Sequence, residues 1–147
     1  MILNDFKAFP AVGVLVGIDW GARRVGVAVS DSGRHFVFAR EPITGCNTDE
    51  LVARVLEIMR AARAVGLVIG LPLRMDGTES ETTAMVRAFA DAMVRATDLP
   101  IVFIDETLTS VAAQADMGRV RRRDIKAKLD SNSARVILEN AIAMMKR

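Results

Sequence analysis

The chain has 147 residues, 51% of them apolar, and its 20 Lys and Arg against 18 Asp and Glu give a formal net charge of +2. That length suits one domain spanning 1–147, and an apolar share this high excludes a chain too polar to fold. The one cysteine, Cys46, excludes an internal disulfide and a cysteine-based zinc site and fits a reducing, cytoplasmic setting, while no run approaches the 18 or so apolar residues of a membrane helix.

Residues 1–12 carry an acid early and no long apolar stretch, so they read as a flexible N-terminal extension and not as a signal peptide. Val14 to Ile18 is a short β-branched run that predicts a buried strand. The turn "DWGARR" follows, and Val25 to Ser30 alternates as a second strand, close enough to the first to form a hairpin. After the turn "DSGR", the stretch "HFVFAR" predicts a third strand. Thr48 is placed to cap a helix, with Asp49 and Glu50 in its first turn, where the helix dipole favours acids. Leu51, Val55, Ile58 and Met59 recur at helical spacing, and Gly66 stops that helix. "LVIG" then predicts a fully buried strand.

Thr78 and Glu81 have capping-box spacing, ahead of a second helix with Val86, Phe89, Ala90 and Met93 on one face. "IVFI" is a strand, followed at once by "DE". Thr109 opens a third helix that fails near Gly118. The basic segment "GRVRRRDIKAK" reads as a loop, after which Asp130 and Ser131 cap the last helix, striped by Ala134, Leu138, Ala141, Ile142 and Met145. Three hairpin-linked strands followed by β-α-β-α units predict an α/β fold: a mixed five-stranded sheet with helices packed on it.

Three acids fall at the ends of elements. Asp19 ends the first strand, Glu106 follows "IVFI" with Asp105 beside it, and Asp130 opens the last helix. Strand ends along one edge of an α/β sheet are where sites form. Carboxylates gathered there repel one another, and a cation relieves that repulsion. Mg²⁺ takes a few carboxylates plus waters and phosphate oxygens, and two such ions about 3.5–4 Å apart activate a water and stabilise the leaving oxygen of a phosphodiester. Plainer roles compete at each position: Asp19 also suits a turn, Glu106 a solvated strand end, and Asp130, ahead of Ser-Asn-Ser, a helix N-cap.

Four blocks, "GIDWGARRVGVAVSD", "VIGLPLRMDGTES", "IDETLTS" and "DSNSARVILENAI", span Gly17 to Ile142. In these blocks and their order the chain resembles the YqgF/RuvX family of Holliday junction resolvases and pre-16S ribosomal RNA nucleases. The resemblance implies an RNase H-like fold and nuclease chemistry dependent on Mg²⁺ or Mn²⁺, with Asp19, Glu106 and Asp130 as the catalytic, metal-binding acids. It implies structured RNA or branched DNA as substrate. Two positions depart from the family pattern. Trp20 stands where the family has Tyr or Phe, and Thr107 stands where it has Arg, which removes a bidentate phosphate or carboxylate partner.

The basic residues acquire a role in that setting. Arg23 and Arg24 flank the first hairpin beside Asp19. Arg119, Arg121, Arg122, Arg123, Lys126 and Lys128 crowd the segment before Asp130, with Asp124 as the one opposing charge. Clustered cations bind nucleic acid by releasing counterions, without reading sequence; a solvated basic loop is the competing reading. Arg74, in "GLPLRMDGT", is a further candidate phosphate contact. His35, the sole histidine, reads as a strand-surface residue, and Cys46 as inert. Cleavage of a symmetric junction calls for a homodimer with two-fold symmetry; trimming of an RNA end does not. Two other functions remain open: a non-catalytic nucleic-acid or ribosome-assembly binding protein, and an actin-like or sugar-kinase-type ATPase, for which one domain of this length is too short.

Overall fold

A computed structural model describes residues 2–3, 6–21, 24–45, 47–74, 76–105 and 122–146, with the backbone alone for 122–131. The β-branched runs form strands β1 (Ile2–Leu3), β2 (Val14–Asp19), β3 (Arg24–Ser30), β4 (Val37–Thr44), β5 (Ala64–Leu71) and β6 (Ile101–Asp105). The helices are α1 (Thr48–Ala62), α2 (Glu81–Ala96) and α3 (Arg122–Met145). One six-stranded sheet has the order β1-β6-β5-β2-β3-β4. The β2–β3 and β3–β4 pairs are antiparallel, as their short connections predict, and β5, β6 and β1 join in parallel.

The sixth strand is the difference from the expected five. Ile2 and Leu3 pair with Ile101 and Val102, and Phe9 is buried beneath the sheet with residues of α3. The segment expected as an extension is therefore tied to the fold at two points. A two-residue strand has no periodicity to detect.

Strand alternation divides the apolar side chains between two cores. On one face Val16, Ile18, Val27, Leu67 and Ile69 meet Leu51, Val55 and Met59 of α1 and Val86, Phe89 and Met93 of α2. On the other, Leu15, Ala28, Val68 and Val102 meet Ala134, Ile137, Leu138 and Ala141 of α3.

Local signals moved by a residue or two. Asn47, not Thr48, caps α1, its side chain accepting the Glu50 N–H at 2.9 Å. The α1 terminus is Arg63, in the left-handed conformation at φ 56°. Gly66 instead lies inside β5, where a Cβ would stand 2.5 Å from the Phe9 ring. Ser80 and Thr83 form the capping box of α2, and the Thr78 hydroxyl donates instead to Asp76 at 2.6 Å.

The largest revision concerns α3. It starts at Arg122, so Arg122, Arg123, Lys126 and Lys128 belong to a helix and not to a loop, as suits strong helix formers. Asp130 then lies about two turns inside α3 and is not its N-cap. The helix expected from Thr109 falls outside the described residues.

Candidate active site

Asp19 ends β2 half-buried. Val16 and Ile18 belong to the α1/α2 core and Leu15 to the α3 core, so alternation turns Asp19 to the α3 face. Register aligns it with Gly26 on β3 and Gly70 on β5. Cross-strand partners share a face, so the carboxylate stands in a row with a glycine on either side. Neither cross-strand neighbour adds a side chain beside the carboxylate.

α3 reaches this row because the residue beneath it is also small. A Cβ on Gly17 would lie 2.9 Å from the Leu138 Cβ and 3.2 Å from the Ala134 carbonyl oxygen. The other end of α3 lies near the start of β2: Arg34 donates from Nε to the Gly13 carbonyl at 2.9 Å and from Nη1 to the Met145 sulfur at 3.5 Å. The helix thus runs antiparallel to β2. Asp130, one turn before Ala134, comes to the end of the sheet that carries Asp19.

Arg24 opens β3 two residues before Gly26, and alternation puts it on the same face as Asp19. The loop after β5 flanks the edge. Its Arg74 is exposed, with the backbone closed by Arg74 N–H to the Thr78 carbonyl at 2.9 Å and Gly77 N–H to the Arg74 carbonyl at 2.8 Å. The Thr78 hydroxyl and N–H, both donating to Asp76, hold that carboxyl below the usual carboxylate range. Behind the loop, Glu79 pairs with Arg87 at 2.6 and 3.3 Å, and the Arg87 guanidinium lies 5.5 Å from the Phe103 ring centre. The Thr83 hydroxyl ties α2 to the Pro72 carbonyl.

Asp105 is exposed at the end of β6. It lies two residues after Phe103 of the α1/α2 core, on the same face of the strand, and so faces away from Asp19. Glu106, Thr107, Arg23, Arg119 and Arg121 lie outside the described residues, as does Cys46. Of Arg122, Arg123, Lys126, Lys128 and Asp130, the position on α3 is all that is described. Among the described residues no group of three or more His, Cys, Asp or Glu side chains gathers. The Asp19 carboxylate, a hard oxygen donor with a glycine on either side, fits Mg²⁺ or Mn²⁺. His35 is an exposed turn residue ahead of β4. Trp20 turns to the opposite face, its ring 5.5 Å from that of Phe89, and its buried Nε1 has no partner among the described residues.

Gly26 and Gly70 were not singled out in the sequence. The signal was there, a glycine inside each of two apolar strands, but only register shows that both meet the same acid.

Residues 13–144 match the family model RuvX, described as Holliday junction resolvase. A "Putative pre-16S rRNA nuclease" of Maridesulfovibrio salexigens is 39% identical over 131 residues, covering 88% of this chain and 97% of that protein. A protein of the same description from Bradyrhizobium is 37% identical over 146 residues, covering 96% and 89%. Among solved structures, Thermus thermophilus RuvC in complex with Holliday junction substrate superposes with a TM-score of 0.58 at 18% identity, over 88% of this chain and 93% of that one. The yeast mitochondrial Holliday junction resolvase Ydc2 gives 0.52 at 9% identity, over 90% and 80%. These two likenesses show the RNase H-like resolvase fold.

Proposed function

The chain belongs to the RuvX family, and on that premise we propose that it is a divalent-cation-dependent nuclease whose reaction takes place at the Asp19 edge. The observation that carries this reading is the row Gly26–Asp19–Gly70, in which neither cross-strand neighbour of the carboxylate carries a side chain, on the face crossed by the helix that bears Asp130.

Asp19, Glu106 and Asp130 would hold Mg²⁺ or Mn²⁺. Asp105 turns to the α2 face, which leaves Glu106 as the acid of that pair for the site. Bound there, a divalent cation neutralises phosphate charge and lowers the pKa of water enough to make it a nucleophile near neutral pH. The glycines beside Asp19 keep β3 and β5 side chains out of the way of the phosphodiester at that row. Arg24 and Arg74 face its backbone oxygens, and the cations of α3 from Arg122 to Lys128 add sequence-independent attraction. The substrate class is structured nucleic acid, either a ribosomal RNA precursor or a branched DNA, in the cytoplasm. No helix among the described residues is long and apolar enough to cross a membrane.

The test is cleavage by purified protein of a four-way DNA junction and of an RNA carrying an unprocessed 16S 5′ end. Each is incubated with Mg²⁺, with Mn²⁺ and with chelator. Cleavage of one of them that stops in chelator is expected. Tight binding of both without cleavage under any metal condition would replace this reading with a nucleic-acid-binding protein.

A further inference from the structure

A cleft of about 440 Å³ lies between α3 and the start of β4, away from the Asp19 edge. Its lip is Phe36, whose side chain is 66% exposed. A lone exposed aromatic needs no explanation, but the setting of this one is specific. Phe36 rides on a braced turn: the Asp31 carboxylate accepts the His35 N–H at 2.9 Å and the Phe36 N–H at 2.8 Å, and the Phe36 carbonyl accepts the Asp31 N–H at 3.2 Å. The backbone that carries the ring is thus fixed before anything binds, which lowers part of the ordering cost of a contact.

Arg135 and Lys146 bring positive charge to the walls, which His35 also lines, and the one carboxylate of the lining, Glu139, pairs with Arg135 at 2.7 Å. Arg34 forms part of the floor. It is only 6% exposed, and its Nη2 has no hydrogen-bond partner among the described residues. The buried, partly unsatisfied guanidinium gives the cleft a positive base, and Lys146, whose Nζ donates to the Arg34 carbonyl at 3.4 Å, adds a second cation, against the single charge of Asp31 beneath the turn. An aromatic ring beside such cations is the combination that takes single-stranded nucleic acid, by base stacking and phosphate attraction. A protein partner with an apolar groove would match the ring but not the charge.

The cleft also lies along the same helix as the Asp19 edge. Val37, next to Phe36, pairs with Ser30 at the end of β3, level with Leu15, four residues before Asp19. From strand rise and spacing, Phe36 stands about 16 Å from the Asp19 row, a few nucleotides along a strand. We infer that this cleft seats the single-stranded flank of the nucleic acid that is cleaved at the Asp19 edge, with a base stacked on Phe36 and a phosphate at Lys146. The inference rests on the nuclease reading above for the flank's identity, but not for its chemistry.

The experiment measures binding of a short fluorescein-labelled single-stranded RNA by anisotropy, in an Asp19→Asn background so that the probe stays intact. Phe36→Ala is expected to weaken binding roughly tenfold or more, with circular dichroism unchanged because the ring is exposed. Phe36→Tyr keeps the stacking face and retains affinity. Lys146→Gln reduces the slope of log affinity against log salt by about 0.7, the single-strand value for one phosphate contact, whereas Phe36→Ala leaves that slope alone. Unchanged affinity in Phe36→Ala, or an equal loss in Phe36→Tyr, overturns the inference. Protein that binds RNA through Phe36 but cleaves nothing defeats the nuclease reading and leaves this one standing. Protein that cleaves but is indifferent to Phe36→Ala does the reverse.

Discussion

The two faces of the sheet are built from different residues. Toward α1 and α2 the strands present Val16, Ile18, Val25, Val27, Val29, Leu67 and Ile69, closed over by Phe89 and Met93. Toward α3 the same strands present Gly17, Asp19, Gly26, Ala28, Ser30, Gly66 and Gly70, with Leu15 and Val68 as the large side chains among them. Large side chains bury the most apolar area and hold two helices at a distance. Small ones bury less, let a single helix descend onto the backbone, and put no side chain beside the carboxylate within its row. The comparison separates two tasks within one sheet: one face mainly supplies stability, and the other supplies the approach of a helix and a substrate to Asp19.

That division can be broken most sharply at Asp19. Asp19→Asn should lower single-turnover cleavage by about 10²–10³-fold or more, the scale of losing one electrostatic stabiliser. Its melting temperature should hold or rise, since the change is nearly isosteric and removes a repelling charge. A mutant that cuts at the wild-type rate would take Asp19 out of the site. On the opposite face, Phe89→Ala should cost about 3–5 kcal/mol of folding stability in urea, while the fraction that stays folded cleaves normally. A comparable loss of cleavage by folded protein would mean that the α2 face also shapes the site. Gly17→Ala tests the approach of α3. The new methyl meets Leu138 and Ala134, so stability should fall by about 1–3 kcal/mol, and cleavage should fall with it because the helix carrying Asp130 must shift. Lost stability with full activity would uncouple α3 from the chemistry.

The smallest effect belongs to Asp31→Asn. The Phe36 N–H, with help from that of His35, holds the Asp31 carboxyl below its ordinary value of 3.8. A carboxyl depressed in the folded state stabilises above its unfolded pKa and loses that contribution as pH falls through the folded one. The difference in melting temperature between wild type and Asp31→Asn should therefore be small and flat near neutrality. It should shrink as pH drops below about 4. A difference that grows in acid would reverse the assignment of the charge to this turn.

What could be read from the chain follows the same physics. Val14–Asp19 and Ala64–Leu71 announce themselves by β-branched density, and their ends by the turns that follow. Asp19 was legible because an acid ending such a strand is unusual. The start of α3 was not. Three consecutive arginines lack the apolar stripe that marks a helix, though arginine and lysine favour helix as strongly as most apolar residues do. That misplacement made Asp130 look like a cap. The glycines beside Asp19 were visible as residues but not as neighbours, since register between strands 7 and 51 residues apart in the chain (Asp19 to Gly26 and to Gly70) is a property of the folded sheet. Phe36 was missed for a related reason: a phenylalanine ahead of a strand gives no sign of whether it turns inward or out.

Trp20 makes the site observable by light. It is the one tryptophan in the chain, it follows Asp19 directly, and its indole rests against Phe89 on the far side of the same strand. Excitation of the unlabelled protein therefore reports from a single chromophore one peptide bond away from the proposed cation ligand. Any change at Asp19 that moves the end of β2, whether cation, nucleic acid or substitution, is expected to register as a shift in one emission spectrum, with no dye attached and no second indole to subtract.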